Sequence, residues 1–155
     1  MKVPKKILNV ISSVQRHKKI PGFIYNLPDE LRQEIISSQK NAIVIDAFEV
    51  HSNYHVLNAV AKALELNPGF VRYDGPLLVK IEERISDKIV IINRAEYLAV
   101  KAYSQIKEFA KSKIPVLILS SYKGFNARFR ETKFYRENNF LDFNYTENNG
   151  GSHGR

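Results

Sequence analysis

The chain opens with two stretches of helical periodicity separated by a break. Ile7, Leu8, Ile11 and Val14 recur at three- and four-residue spacing behind Pro4, which suits a first helical turn, and the stretch runs into the cations Arg16, Lys18 and Lys19. Pro21-Gly22 interrupts it. Asn26 followed by Pro28, Asp29 and Glu30 then starts a second helix carrying Leu31, Ile35 and Ile36. Residues 1–40 thus read as a helical N-terminal segment.

From residue 41 the pattern changes to short apolar runs alternating with helical ones. Ala42-Ile43-Val44-Ile45 predicts a strand ending at Asp46, and Ser52 suits the cap of a helix whose Val56, Leu57, Val60, Ala61 and Leu64 form one apolar stripe. Phe70–Tyr73 is a further short strand, and Pro76 opens a helix with Leu77, Leu78, Ile81 and Ile85. Lys88–Asn93 and Ile114–Leu119 are continuous apolar runs of the kind buried on both faces, with a long helix predicted between them from about Ala95 to Ser112. Phe140–Tyr145 is expected to add an edge strand. Strands alternating with helices at this rhythm predict an α/β fold, a doubly wound, mostly parallel sheet with flanking helices. Residues 1–145 form one domain in this reading. Residues 146–155, with no apolar side chain to bury, form a flexible tail.

Composition narrows the chemistry. No cysteine occurs among the 155 residues, which removes a disulfide framework, a thiol nucleophile and cysteine-based metal sites, and makes a reducing, cytoplasmic setting the expectation. The apolar residues after the basic start are interrupted by Asn9, Ser12, Ser13 and Gln15, so no signal-peptide core or membrane span is expected. The formal net charge is +8, and it is unevenly placed. Residues 1–45 carry 8 Lys and Arg against 3 Asp and Glu, residues 46–100 carry 6 against 8, and residues 101–155 carry 10 against 5. Two basic ends flanking a neutral-to-acidic middle point to localised basic surfaces and a polyanionic partner.

In a parallel α/β sheet ligands bind beyond the carboxyl ends of the strands. Asp46–Asn53 follows one strand here, Asp74-Gly75 the next, Asn93-Arg94 the third and Ser120-Ser121 the fourth. The order of these elements over roughly residues 40–125 resembles the ATPase core of the AAA+ family, particularly its small clamp-loader-type and transposition-ATPase-type members. The resemblance sets Asp46-Ala-Phe-Glu-Val-His-Ser-Asn53 where the family has its phosphate-binding loop, Ile89–Leu98 at its magnesium-binding strand and Ile114–Ser121 at its sensor strand. The nucleotide-contacting positions it implies are Asp46, Glu49, His51, Ser52, Asn53, Asn93 and Arg94.

The chemically decisive residues depart from the family pattern. A phosphate loop needs glycines so that backbone N–H groups close around the phosphates, a lysine for the terminal phosphates and a hydroxyl for magnesium. This segment has no glycine, Ser52 and Asn53 stand in the lysine and hydroxyl positions, and Asn93 and Arg94 replace the carboxylates expected on the magnesium strand. No conventional ATP hydrolysis is therefore expected, and no cofactor. His51 and His55 lie four apart, but if Ser52 caps the helix His51 lies outside it, so the pair reads as loop and surface histidines and no metal site is assigned. Asp46 and Glu49 with Asp74 are the acidic set on which a metal- or nucleotide-dependent enzyme acting on phosphate-bearing substrates would draw. Ser120-Ser121 has no His–Asp pattern to make either serine a nucleophile.

The strongest functional signal is the interleaving of cations with aromatics between Lys123 and Asn139. Arg and Lys neutralise phosphates and aromatic faces stack on unpaired bases, so Lys123, Arg128, Arg130, Lys133, Tyr135 and Arg136, with Arg16, Lys18 and Lys19, are the candidate nucleic-acid surface. The plain structural alternative is an amphipathic terminal helix with Phe125, Phe129 and Phe140 packed on the sheet. The expectation is a catalytically silent accessory or scaffold subunit that binds nucleic acid. A protein partner or a homo-oligomer is the alternative, and no membrane is involved.

Overall fold

The computed structural model describes residues 2–50, 53–66, 74–99, 102–121, 128–137 and 139–146. The elements run α1 (Lys5–Arg16), β1 (Gly22–Tyr25), α2 (Asp29–Ser38), β2 (Ala42–Asp46), α3 (Asn53–Ala63), α4 (Asp74–Ile85), β3 (Ile89–Asn93), a 3₁₀ turn (Ala95–Tyr97), α5 (Tyr103–Lys111), β4 (Val116–Leu119), α6 (Lys133–Glu137) and β5 (Leu141–Asn144). The five strands form one sheet in the order β2-β3-β4-β1-β5, and every pairing is parallel. The doubly wound α/β reading holds.

Alternation along each strand sorts the core into two layers. Phe23, Tyr25, Ile43, Ile45, Val90, Ile92, Val116 and Ile118 pack against α3, α4 and α5. Ile24, Ile89, Ile91, Leu117 and Leu119 pack against α1 and α2. With helices on both faces, β3 and β4 have no polar side to show, which is why their sequences are unbroken apolar runs. β2 at the edge instead leaves Val44 41% exposed.

The first forty residues hold both expected helices, but they are not an extension to the sheet. Gly22–Tyr25, between the helices, is an interior strand paired with β4 on one side and β5 on the other. Gly22 is there because α1 crosses directly over it: a Cβ at this position would stand 2.6 Å from Val14 Cγ2 and 3.0 Å from Leu117 Cδ1. Glycine weakens a strand in sequence terms and permits this close approach in three dimensions.

Two further expectations change. The helix predicted from Ala95 to Ser112 begins only at Tyr103, because Arg94 adopts left-handed backbone angles (φ 54°, ψ 52°) and a 3₁₀ turn intervenes. The basic-aromatic run is not one helix either. A helical turn over 128–131 is separated from α6 by Thr132, whose hydroxyl donates to the Phe129 carbonyl at 2.6 Å and accepts from the Tyr135 N–H at 3.2 Å. The strand expected at Phe70–Tyr73, the candidates His51, Ser52 and Lys123, and the tail beyond Thr146 lie outside the described residues.

Candidate functional site

The strand order locates the site. From β1 the chain steps to the far edge at β2, returns through β3 and β4, and then passes to β5 on the other side of β1. The reversal lies between β1 and β4, and the crevice beyond their carboxyl ends is where such a fold receives a ligand. Asp46–Asn53, the segment compared with a phosphate loop, instead follows β2, which among the described residues is an edge strand paired with β3 alone. The connection at the crevice is Asn26-Leu27-Pro28, which joins β1 to α2 without a glycine. Asn26 takes the left-handed conformation (φ 61°) that asparagine tolerates, and Leu27 N–H is tied to the Ser120 carbonyl at 3.1 Å.

Arg32 spans these strand ends. It lies on the buried face of α2 between Leu31 and Ile35 and is 6% exposed. Its Nε donates to Ser121 Oγ at 3.0 Å, one terminal nitrogen to Asn93 Oδ1 at 2.5 Å and the other to Asp29 Oδ1 at 3.1 Å. The planar fork of a guanidinium reaches all three partners at once. Asp29 is held below the usual carboxylate range chiefly by its hydrogen bond and charge interaction with Arg32. Beside this network Ser120 Oγ donates to Glu96 Oε1 at 3.1 Å. Asn93 and the Ser120-Ser121 exit were recognisable as strand ends, whereas Arg32 was not singled out. Its one sequence signal is a cation set next to the apolar stripe of its own helix.

The candidates at β2 and β3 pair with one another. Arg94 donates to both oxygens of Asp46, from Nε at 3.0 Å and from a terminal nitrogen at 2.6 Å. Burial pushes the Asp46 pKa up, but the Arg94 hydrogen bond, the Phe48 N–H and the attraction of Arg94 and Arg32 outweigh it, and the net shift is downward. The Arg94 guanidinium also lies 4.8 Å from the Phe48 ring centre and 5.8 Å from that of Tyr97, and these two rings meet edge to face at 5.1 Å. Both rings are exposed, Phe48 by 59% and Tyr97 by 50%. Glu49 is exposed, Asn53 begins α3, and the Asp74 side chain is not among those described. Among the described residues no three His, Asp or Glu side chains group as metal ligands.

The basic candidates divide between packing and surface. Phe129 is buried against Phe23, Tyr103, Tyr135 and Phe140, as the amphipathic alternative expects. Tyr135 is not an open stacking face: Phe140 lies parallel to it at 5.2 Å, and its hydroxyl donates to Asp142 Oδ2. Arg130 stands 3.9 Å from the same carboxylate oxygen and over the rings of Tyr25 and Tyr135. Asp142 is pushed above the ordinary carboxylate range by burial, which the Tyr135 hydrogen bond and Arg130 only partly counter. Burial likewise pushes the Tyr103 hydroxyl up to about 12, with Arg128 pulling the other way. Arg16, Lys18, Lys19, Arg128, Lys133 and Arg136 are exposed, Lys133 facing Glu137 at 3.8 Å.

No protein-family model and no curated protein matches the chain. Solved structures do. A chain from the structure of Drosophila ORC bound to DNA aligns with a TM-score of 0.52 at 12% identity, over 90% of this chain and 91% of that one. A chain from Drosophila ORC bound to AT-rich DNA aligns with a TM-score of 0.51 at 13% identity, over 90% of this chain, which spans 56% of that chain's length. What is shared with these chains is the fold, a parallel α/β sheet with helices on both faces. At these identities the likeness is one of backbone architecture. Within that architecture the reversal of strand order lies beside Asn26–Asp29 and Ser120-Ser121, with Asn93 at the end of the next strand. No described helix is long and apolar enough to cross a membrane.

Proposed function

We propose that this is an AAA+-like domain whose nucleotide position has become structural, and that it serves as a nucleic-acid-binding or scaffold subunit of an assembly that processes DNA or RNA. The observation that carries the reading is the Arg32 network. A triphosphate would need the volume that Arg32 occupies, and it would need glycine N–H groups where the chain has Asn26-Leu27-Pro28. The metal- or nucleotide-dependent alternative depends on Asp46, whose two oxygens are already engaged by Arg94. The charge of +8 and the DNA present in the structures of similar fold support a nucleic-acid partner. Catalytic silence follows from the same occupancy.

Two measurements test this reading. Magnesium-ATP should leave the melting temperature unchanged, since a ligand raises it only by binding the folded state. A labelled oligonucleotide should bind with an affinity that falls steeply with salt, because phosphate contacts release counterions. A nucleotide-dependent rise in melting temperature, or an oligonucleotide affinity insensitive to salt, would overturn it.

A protein-interaction role is a second reading, favoured by Phe48, Arg94 and Tyr97. Exposed aromatics with an arginine between them are the residue types that dominate binding energy in protein interfaces. Phe48→Ala with Tyr97→Ala should then abolish assembly with a partner and leave the melting temperature nearly unchanged.

A further inference from the structure

The two basic ends of the chain meet at a cleft on the amino edge of the sheet, opposite the strand-end crevice. Its lining comes from the residues just before β1 (Lys19, Ile20, Pro21), from α5 (Lys107, Ala110) and from the end of α6 and the residues before β5 (Glu137, Asn139). We propose that this cleft seats the phosphodiester backbone of a nucleic acid, with Lys19 and Lys107 as the phosphate-contacting pair. The proposal rests on the nucleic-acid reading above and gives it a location; Lys107 is a residue the sequence did not single out.

Three observations point to this ligand. First, the charge: Lys19 and Lys107 face one space, Arg16 and Lys18 are exposed just before it in the chain, and Arg136 is exposed on α6. The one carboxylate in the lining, Glu137, has an oxygen 3.8 Å from Lys133 Nζ, so its charge is partly offset. Second, at about 270 Å³ the cleft sits at the small end of the range of small-molecule pockets, with room for a phosphodiester group passing across it. Third, Asn139 shares the lining with the two lysines, and side-chain amides commonly join cations in contacting phosphates.

Lysines at these places have another role to be separated from this one. Lys18 and Lys19 follow the C-terminus of α1, and Lys111 sits in the last turn of α5. Cations there offset the negative ends of helix dipoles. That role affects stability, whereas phosphate contact affects the salt dependence of binding.

The experiment uses the full chain and a labelled mixed-sequence oligonucleotide, single-stranded and duplex, with fluorescence anisotropy read across a salt series. Lys19→Ala and Lys107→Ala should each weaken binding irrespective of sequence and reduce the slope of log affinity against log salt by about 1. The double variant should lose about 2 from the slope, with only the small fall in melting temperature that removing Lys19 from the end of α1 brings. If the parent binds with a steep slope and the double variant keeps it, the cleft is not the site, although the nucleic-acid reading stands. If the parent binds no oligonucleotide, both fail.

Discussion

Arg32 donates to the side-chain oxygen of Asn93 across 2.5 Å, fastening the helix that follows the interior strand to the end of a strand two places away. Arg32 is buried while its carboxylate partner Asp29 is largely in solvent, so the ion pair itself contributes little. The energy lies in the bonds to Asn93 and Ser121, which would otherwise be left unpaired beside a lost side chain. Arg32→Ala should therefore cost about 2–4 kcal/mol in urea unfolding. Arg32→Lys should recover only part of this, because an ammonium cannot present the planar fork.

Asp46 and Arg94 are partly exposed, with side-chain exposures of 24% and 34%, so their coupling should be modest despite the two-pronged geometry. A double-mutant cycle with Asp46→Asn and Arg94→Gln should return a small favourable coupling energy. Because the folded Asp46 pKa is lowered, its contribution is present above the ordinary carboxylate range and is lost as pH falls through the folded value. Arg94→Gln should flatten the acid limb of the stability–pH curve.

Asp142 should titrate in the opposite sense. Its folded pKa is raised, so the native state binds the proton more tightly than the unfolded chain, and stability falls as pH rises from the unfolded value through the folded one. A carbon-detected NMR titration should place Asp142 above ordinary carboxylates. Arg130→Gln should move it higher still, since Arg130 is one of the two groups lowering it. A downward movement would show that the Arg130 contact is not made in solution.

Gly22→Ala should destabilise the fold without touching any candidate site. The added methyl would meet Val14 and Leu117 well inside contact distance, and overpacking of this kind costs about 1–3 kcal/mol. A second change, Val14→Ala, should restore part of the loss by making room, which thermal melts of the single and double variants can read.

The strands that could be read from sequence are those whose environment is uniform. Ile89–Ile92 and Val116–Leu119 are buried on both faces and are apolar throughout, and the stripe of α3 reports one buried face. β1 carries no strand signal because it is four residues long, begins at a glycine and lies between Pro21 and Asn26, residues that ordinarily mark a turn. That omission displaced the candidate site. With β1 uncounted, β2 looked like the first strand of the sheet, and its Asp46–Asn53 exit was compared with a phosphate loop. Asn93 and Arg94 were visible as polar residues ending an apolar run, but their partners Arg32 and Asp46 come from distant parts of the chain, which no local pattern discloses.

The register of β1 also bears on how the protein is made. Gly22 pairs with Leu117 on one side and Leu141 on the other, each about a hundred positions further along the chain. During synthesis, which proceeds at about 5–20 residues per second, β1 emerges well before the two strands it pairs with. Its two backbone edges stay unpaired until β4 and then β5 have left the ribosome. Shortening the chain within β5 should therefore yield an aggregating product, since the interior strand would be left with an open edge.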